Sequence, residues 1–224
     1  MVSFFNKIVD ATSLEQNELF AVPQIVDAMQ GNISRASYVA YLEQAYHHVK
    51  HTVPLMMLAG ARMSTKQAYL RDALVEYIEE EAGHEAWILR DIGNAGGDVD
   101  AVRYGNPNIA TEVMLAYAYD YISRVNPAGF FGMVYVLEGT SIQLASSAAN
   151  TLQNSLGLPA ECFSYLSSHG ELDQEHMKYF ENLVNRIEDE SDQAAILHMA
   201  KRIYVLFANV LRSIPHKETM KYAI

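Results

Sequence analysis

Apolar residues recur along most of the chain at intervals of three and four, and they nowhere alternate for long with polar residues. An interval of three to four places apolar side chains on one side of an α-helix, whereas a period of two is typical of a strand. The pattern therefore predicts an all-α protein. The length of 224 residues, without repeats or long linkers, predicts one domain over residues 1–224.

Turn and capping signals divide this pattern into helices. Ser34 is placed to cap a helix that we expect to continue to Met63, with a bend at Pro54. Asn94 begins a stretch rich in turn residues, and the chain from there to Asn108 is expected to form a loop. The other helices are expected at about 66–93, 111–124, 128–154 and 192–214, with a further segment over 159–188.

Composition and charge exclude several classes of function. The formal charge is -11, and Lys and Arg form no cluster, so nucleic acid is not expected as a partner. The single cysteine, Cys162, permits neither an intrachain disulfide nor a thiolate zinc cluster, which suits a reducing cytoplasm. The sequence shows neither the apolar core of a signal peptide nor an apolar run of ~18 residues, so we expect a cytoplasmic protein without membrane contact.

Two histidines and an aspartate in the segment over 159–188 have the spacing of metal ligands. His169, Asp173 and His176 follow one another at intervals of four and three. At about 100° per residue, these positions fall within an arc of about 60° on a helix, so their side chains project from one side. The neighbouring residues are polar, which leaves a solvated helix surface as the alternative interpretation.

Acidic residues on two other predicted helices extend this set. Glu138 follows an apolar stretch, where an isolated charge is costly unless it is paired or bound to a metal. The acidic run 79–81 precedes His84, and both Glu80 and Glu81 have helical spacing from it; we favour Glu81 and keep Glu80 as the alternative. Together these residues form the ligand set of a carboxylate-bridged site for two metal ions.

Aromatic and histidine side chains are candidates for a pocket around this site. His47 and His51 lie four residues apart, and each is either a pocket residue that hydrogen-bonds a substrate or ligand, or an ordinary structural histidine. Tyr77, Trp87 and Tyr135 lie close in sequence to the candidate ligands. Plain core packing is the alternative interpretation for each of these aromatic residues.

Several motifs, in order along the chain, carry a resemblance to a known family. They are the stretch 41–55, Glu81-x-x-His84, Glu138 and His169-x-x-x-Asp173-x-x-His176. With them the chain, over about residues 34–207, resembles the haem-oxygenase-like di-iron oxidases, which share a superfamily with the TenA thiaminases and the PqqC quinone synthase. The resemblance implies a bundle of about seven helices around a central cavity, often as a homodimer. It also implies metal ligation by Glu81, His84, Glu138, His169, Asp173 and His176.

Departures from related families exclude two activities. Ala45 stands where a TenA thiaminase has an acidic residue, and the glycine-rich helix around Gly132 has no cysteine nucleophile, so thiamine hydrolysis is not supported. A haem oxygenase has an axial histidine on its first helix, whereas no histidine precedes His47 here. Haem binding is therefore not expected.

The ligand set indicates the chemistry. Carboxylates and neutral imidazoles favour iron, with manganese as an alternative. The resemblance implies a metal-dependent oxidoreductase in which two Fe ions and dioxygen act on a small-molecule substrate in the cavity, with electrons from an unidentified donor. Two alternatives stay open: a non-catalytic, small-metabolite-binding protein of the TenA/PqqC type, and a zinc or manganese hydrolase. The sequence does not identify the substrate.

Overall fold

The structure of the protein is a computed structural model that describes residues 2–216, apart from the side chains of residues 169–175. Helices and short 3₁₀ turns make up its secondary structure, and this part of the chain contains no strand, which confirms the predicted all-α fold. The helices are α1 (Phe4–Phe20), α2 (Pro23–Met29), α3 (Arg35–Val49), α4 (Thr52–Arg62), α5 (Ala68–Glu81), α6 (His84–Asn94), α7 (Val99–Tyr104), α8 (Ile109–Arg124), α9 (Phe130–Leu156), α10 (Ser164–Val184) and α11 (Glu190–Arg212).

The number of helices agrees roughly with the expected bundle once short breaks are taken into account. Two residues separate α1 from α2, α3 from α4 and α5 from α6, and α7 is only 6 residues long. If each of these pairs is counted once and α7 is left aside, seven longer helical units remain in the described chain. The bounds of α8, α9 and α11 lie within two residues of the predicted ones.

The continuous helix predicted over 35–63 is wrong. The helix is interrupted at Lys50 and His51, which separate α3 from α4, and not at Pro54. Pro54 lies in the first turn of α4, where its missing N–H removes no helical hydrogen bond. Ser34 caps α3 as predicted, because its side chain accepts a hydrogen bond from a backbone N–H of the first turn.

The continuous helix predicted over 66–93 is also wrong. It is interrupted at Ala82 and Gly83, and Gly83 has a φ of +94°. Residues with a side chain rarely adopt this left-handed conformation, so glycine permits the break. Glu81 is consequently the last residue of α5, and His84 is the first residue of α6.

The loop predicted over 94–108 contains a short helix, α7. The carboxylate of Asp98 caps this helix by accepting hydrogen bonds from the backbone N–H groups of Asp100 and Ala101. Aspartate is among the residues that best satisfy the unpaired N–H groups at a helix start. The turn-rich composition of the preceding residues concealed this capping signal, which explains the missed helix.

Helices α9 and α11 approach each other closely at Gly132. A Cβ atom added there would lie 2.7 Å from the backbone nitrogen of Ala200 and 2.9 Å from the Cβ of Met199, both in α11. The missing side chain therefore lets the two helices pack backbone against backbone. Their neighbouring residues Phe131 and Ile203 belong to a cluster of buried apolar side chains that spans both helices.

The start of α10 is attached to α6 through Asp91. This carboxylate is fully buried and accepts hydrogen bonds from the Ser164 hydroxyl and from the backbone N–H of Tyr165, at 2.8 Å from the nitrogen. Burial raises the pKa of Asp91, and these hydrogen bonds oppose the rise. The first N–H groups of a helix have no partner within it, so Asp91 both satisfies and orients the start of α10.

Among the helices of the described residues, α11 has the length and composition of a membrane-crossing segment, which the sequence analysis did not anticipate. The mean hydropathy of its most apolar 18-residue window is 1.4. Within the protein, 56% of that window is buried. The core helix of a protein that does not cross a membrane has the same properties, so length and composition alone are weak evidence for a membrane span.

Replacing Gly132 with alanine is expected to destabilise the fold, because the new Cβ would collide with the backbone of α11. Overpacking of this type lowers the free energy of unfolding by about 1–3 kcal/mol. Urea denaturation of Gly132→Ala measures this loss.

Gly139→Ala is the matched control in the same helix. Its Cβ would lie 3.6 Å from Cε of Met177, the nearest atom among the described residues, which is an ordinary contact. Alanine favours a helix over glycine by about 1 kcal/mol, so this variant should be neutral or more stable than the wild type. Equal destabilisation by both substitutions would contradict the close approach at Gly132.

Candidate metal centre

Three side chains from three helices converge at one place in the bundle. Glu81 ends α5, Glu138 lies in α9 and His176 lies in α10. One ligand atom from each side chain lies within 4.8 Å of those from the other two. Ligands of a single metal ion lie about 2.0–2.2 Å from the ion, on different sides of it. The separation of these three atoms is therefore close to that between ligands of one ion.

His84 approaches this cluster from the start of α6. Its Nδ1 lies 3.1 Å from Oε2 of Glu81, and its ring stacks on Trp87 with the ring centroids 4.2 Å apart. The break at Gly83 lies between Glu81 and His84, so their relative position is set by the turn between two helices and not by continuous helical spacing. His84 therefore lies beside a candidate ligand, as its predicted role requires.

Glu80 lies close to the cluster as well. Its Oε2 is 2.8 Å from Nε2 of His176, while Oε1 of Glu138 is 3.8 Å from Nδ1 of the same ring. The side chain of Glu80 is 55% exposed, whereas that of Glu81 is 9% exposed. Both candidate glutamates thus reach the site, and Glu81 is the one that belongs to the buried three-residue cluster.

The side chains of His169 and Asp173 lie outside the described part of the structure. The backbone of α10 is helical from Ser164 to Val184, so the helical spacing of these two residues from His176 holds. Their assignment as metal ligands stays a prediction.

The donor set fits a cation. Glu81 and Glu138 place two largely buried carboxylates close together, and such groups repel each other unless a cation or a proton lies between them. Carboxylate oxygens and imidazole nitrogens are ligands that iron and manganese accept. Tyr77 packs against His176 with ring centroids 5.8 Å apart, and burial followed by the charge of Glu138 raises the pKa of Tyr77. Burial and this charge both favour the protonated form of its hydroxyl.

One cavity adjoins this cluster, and a larger cavity adjoins the first. The smaller has a volume of about 80 Å³, and its wall includes Glu81 and Glu138. The larger has a volume of about 150 Å³ and lies among α2, α3, α9, the start of α10 and the end of α11. Four residues belong to both walls, so the two cavities adjoin each other: His48, Leu137, Ser141 and Tyr165.

None of the five predicted pocket residues lies in either cavity wall. His47 is buried, and burial lowers its pKa to about 4. Nδ1 of His51 lies 2.9 Å from the hydroxyl of Tyr119. Tyr135 stacks on Phe180 within the core. Tyr77 and Trp87 contact the candidate ligands His176 and His84, respectively, through their rings.

His48, which the sequence analysis passed over, belongs to both cavity walls. A signal for it exists in the sequence: His48 follows Tyr41 by seven residues, which is about two helical turns, and Tyr41 also lines the larger cavity. His47 is rotated from that side of the helix by about 100°. Once the structure shows that Tyr41 faces the cavity, helical phase selects His48 over His47.

Comparison with known proteins identifies the fold and the family. Residues 39–208 match a family described as iron-containing redox enzymes, whereas no curated protein matches the chain. A domain of unknown function with a heme oxygenase-like fold from Shewanella denitrificans is 22% identical, with a TM-score of 0.84, over 100% of this chain and 96% of that one. A TenA homologue from Pseudomonas syringae pv. tomato is 11% identical, with a TM-score of 0.76, over 93% of this chain and 90% of that one.

A heme oxygenase from Leptospira interrogans has the same fold, with 15% identity and a TM-score of 0.75 over 94% of this chain and 99% of that one. At these identities the solved structures establish the fold alone, which is heme oxygenase-like, and the predicted resemblance is confirmed. The family match covers more than half of the 224 residues. The chain belongs to the family of iron-containing redox enzymes.

Proposed function

We propose that this protein is a non-haem di-iron oxidoreductase that uses dioxygen to oxidise a small organic substrate. The observation that carries the proposal is the convergence of Glu81, Glu138 and His176 from three helices beside a cavity. Membership in a family of iron-containing redox enzymes supports iron as the metal. The proposal assigns the remaining ligand positions to His84, His169 and Asp173.

When bound, the iron ions supply electrons for the reduction of dioxygen, and an external donor replaces these electrons. The residues of the chain prepare the site for this chemistry. Glu81 and Glu138 offer negatively charged oxygen donors, and Glu80, with Oε2 2.8 Å from Nε2 of His176, orients that imidazole. Each donor belongs to a different helix, so the packing of the bundle sets the separation of the ligands.

The surroundings of the cluster exclude water and hold a proton. The wall of the smaller cavity contains many apolar side chains, which keep the reacting groups away from bulk solvent. The hydroxyl of Tyr77 is buried and has a raised pKa, caused first by burial and then by the charge of Glu138. Burial of this hydroxyl therefore favours its protonated form.

Iron binding tests the proposal directly. Metal-free protein that receives ferrous iron anaerobically should bind about two ions per chain, as in carboxylate-bridged pairs of helical bundles. Glu138→Ala and His176→Ala should each lower the affinity for iron at least tenfold, and should abolish oxygen consumption by the reduced protein. Colorimetric iron analysis and an oxygen electrode measure the two quantities.

Glu79→Ala is the matched control, because it removes an exposed glutamate from α5 that lies outside the three-residue cluster. Its affinity for iron and its oxygen consumption should both equal those of the wild type. Negligible iron uptake by the wild type would overturn the proposal and favour a metabolite-binding bundle. Oxygen consumption that survives both Glu138→Ala and His176→Ala would also overturn it.

The two neighbouring glutamates should differ in their effect on iron. Glu81→Ala is expected to lower the iron content strongly, because Glu81 is largely buried and belongs to the cluster. Glu80→Ala should have a smaller effect, because its side chain is more than half exposed and contacts His176 from the solvent side. Titration of both variants with ferrous iron measures the difference. An equal or larger loss of affinity in Glu80→Ala would assign the ligand role to Glu80.

A further inference from the structure

Most of the polar groups in the wall of the larger cavity are engaged with other residues. On α3, the hydroxyl of Ser37 lies 2.9 Å from that of Ser34, and the hydroxyl of Tyr38 donates a 2.7 Å hydrogen bond to the carbonyl of Cys162. A group that already has a partner gains little from binding a ligand. These two hydroxyls are therefore poor candidates for recognising one.

The part of the wall formed by α2 and the end of α11 is engaged in the same way. The amide of Gln24 donates hydrogen bonds to the backbone carbonyls of Arg212 and Ile214. The ring of His216 lies 2.7 Å from a carboxylate oxygen of Asp27. These contacts tie the end of α11 to α2 and leave these side chains with protein partners.

Thr140 and Ser141 differ from these groups. Both line the larger cavity, and no described residue provides a hydrogen-bond partner for Oγ1 of Thr140 or Oγ of Ser141. The side chain of Thr140 is only 6% exposed. Buried hydroxyls without a partner are rare in folded proteins, because leaving them unpaired is costly. These two buried hydroxyls therefore lack a partner among the described residues with which a ligand would compete.

Ser141 also links the cavity to the proposed metal centre. It belongs to both cavity walls and follows Glu138 by three residues in α9, so the two residues lie on the same side of that helix. A polar group bound by Thr140 and Ser141 would lie between the apolar cavity and the carboxylates. An apolar body would occupy the remainder of the cavity.

The charge and size of the cavity restrict the ligand further. None of the described residues in either wall is Lys or Arg, while Glu81 and Glu138 lie in the smaller wall and the chain carries a net charge of -11. An anionic ligand would find no lysine or arginine partner among these side chains. An apolar cavity of about 150 Å³ is large enough to bind benzene, and the larger cavity has that volume.

We propose that the larger cavity binds a neutral molecule whose apolar body is about the size of a benzene ring, and whose hydroxyl or carbonyl group bonds to Thr140 and Ser141. Only the identification of this molecule as the substrate rests on the proposed di-iron function. The binding site itself requires no metal. It is therefore testable in metal-free protein, where toluene, benzyl alcohol and benzoate provide one ring with three different polar groups.

Titration of metal-free protein with each of these three probes, with NMR as the readout of binding, tests the assignment. The wild type should bind benzyl alcohol at least as tightly as toluene, and benzoate at least tenfold more weakly than either. The double variant Thr140→Val with Ser141→Ala should bind benzyl alcohol about three- to tenfold more weakly than the wild type, because it loses one or two neutral hydrogen bonds. Its affinity for toluene, which forms no such hydrogen bond, should equal that of the wild type.

Two further variants separate recognition from misfolding. Ala148→Leu adds bulk to the cavity wall and should lower the affinity for both benzyl alcohol and toluene at least tenfold. Ser155→Ala removes a hydroxyl from the same helix outside both cavity walls and should leave all affinities unchanged. Thermal denaturation of each variant verifies that it is folded.

Three results would overturn the inference: unchanged affinity for benzyl alcohol in the double variant, tighter binding of benzoate than of benzyl alcohol, or unchanged affinities in Ala148→Leu. Iron uptake by the same preparation separates this inference from the proposed function. The expected probe affinities without iron uptake would support the cavity assignment and overturn the di-iron proposal. Iron uptake without the expected probe affinities would support the di-iron proposal and overturn the cavity assignment.

Discussion

The carboxylates of Glu81 and Glu138 meet in the interior of a helical bundle, and their mutual repulsion is the constraint to which the rest of the site responds. Two unit charges about 4 Å apart repel by about 4 kcal/mol at an effective dielectric constant of about 20. That is a large part of a net folding stability of about 5–15 kcal/mol. A cation between the two carboxylates would turn this repulsion into attraction, so metal binding and stability should be coupled.

Local features of the sequence produce this arrangement. Gly83 allows α5 to end at Glu81 and α6 to begin immediately afterwards, so that His84 turns back toward the same carboxylate. Asp91 attaches the start of α10 to α6, which fixes the helix that carries His176. Close packing at Gly132 holds α9 against α11. Each of these features sets the position of the backbone, and the backbone in turn places the side chains of the site.

Much of the fold was predictable because it depends on local patterns. Apolar spacing gave the helical class, and the cap at Ser34 and the bounds of α8, α9 and α11 agree with the prediction. The break at Lys50 and His51 was not predictable in the same way, since Pro54 is the expected breaker and yet is tolerated in a first turn. The positive φ of Gly83 depends on how α5 and α6 pack, which helical spacing does not contain.

The candidate site was predictable to a similar extent. Helical spacing and the cost of an isolated charge selected Glu81, Glu138 and His176, which the structure brings together. The cavity walls were harder to predict, because they form where several helices cross. His48 and Ser141 line both cavities although neither was selected, and their roles depend on contacts between helices distant in the sequence.

The central claim is that metal ions lie between the helices at this cluster, and a crystal of the iron-loaded protein tests it most directly. Anomalous diffraction recorded on both sides of the iron absorption edge locates iron independently of its assumed ligands. We expect two iron peaks within bonding distance of Glu81, Glu138 and His176, which are the residues that converge here. Iron peaks elsewhere in the molecule, with none at this cluster, would contradict it.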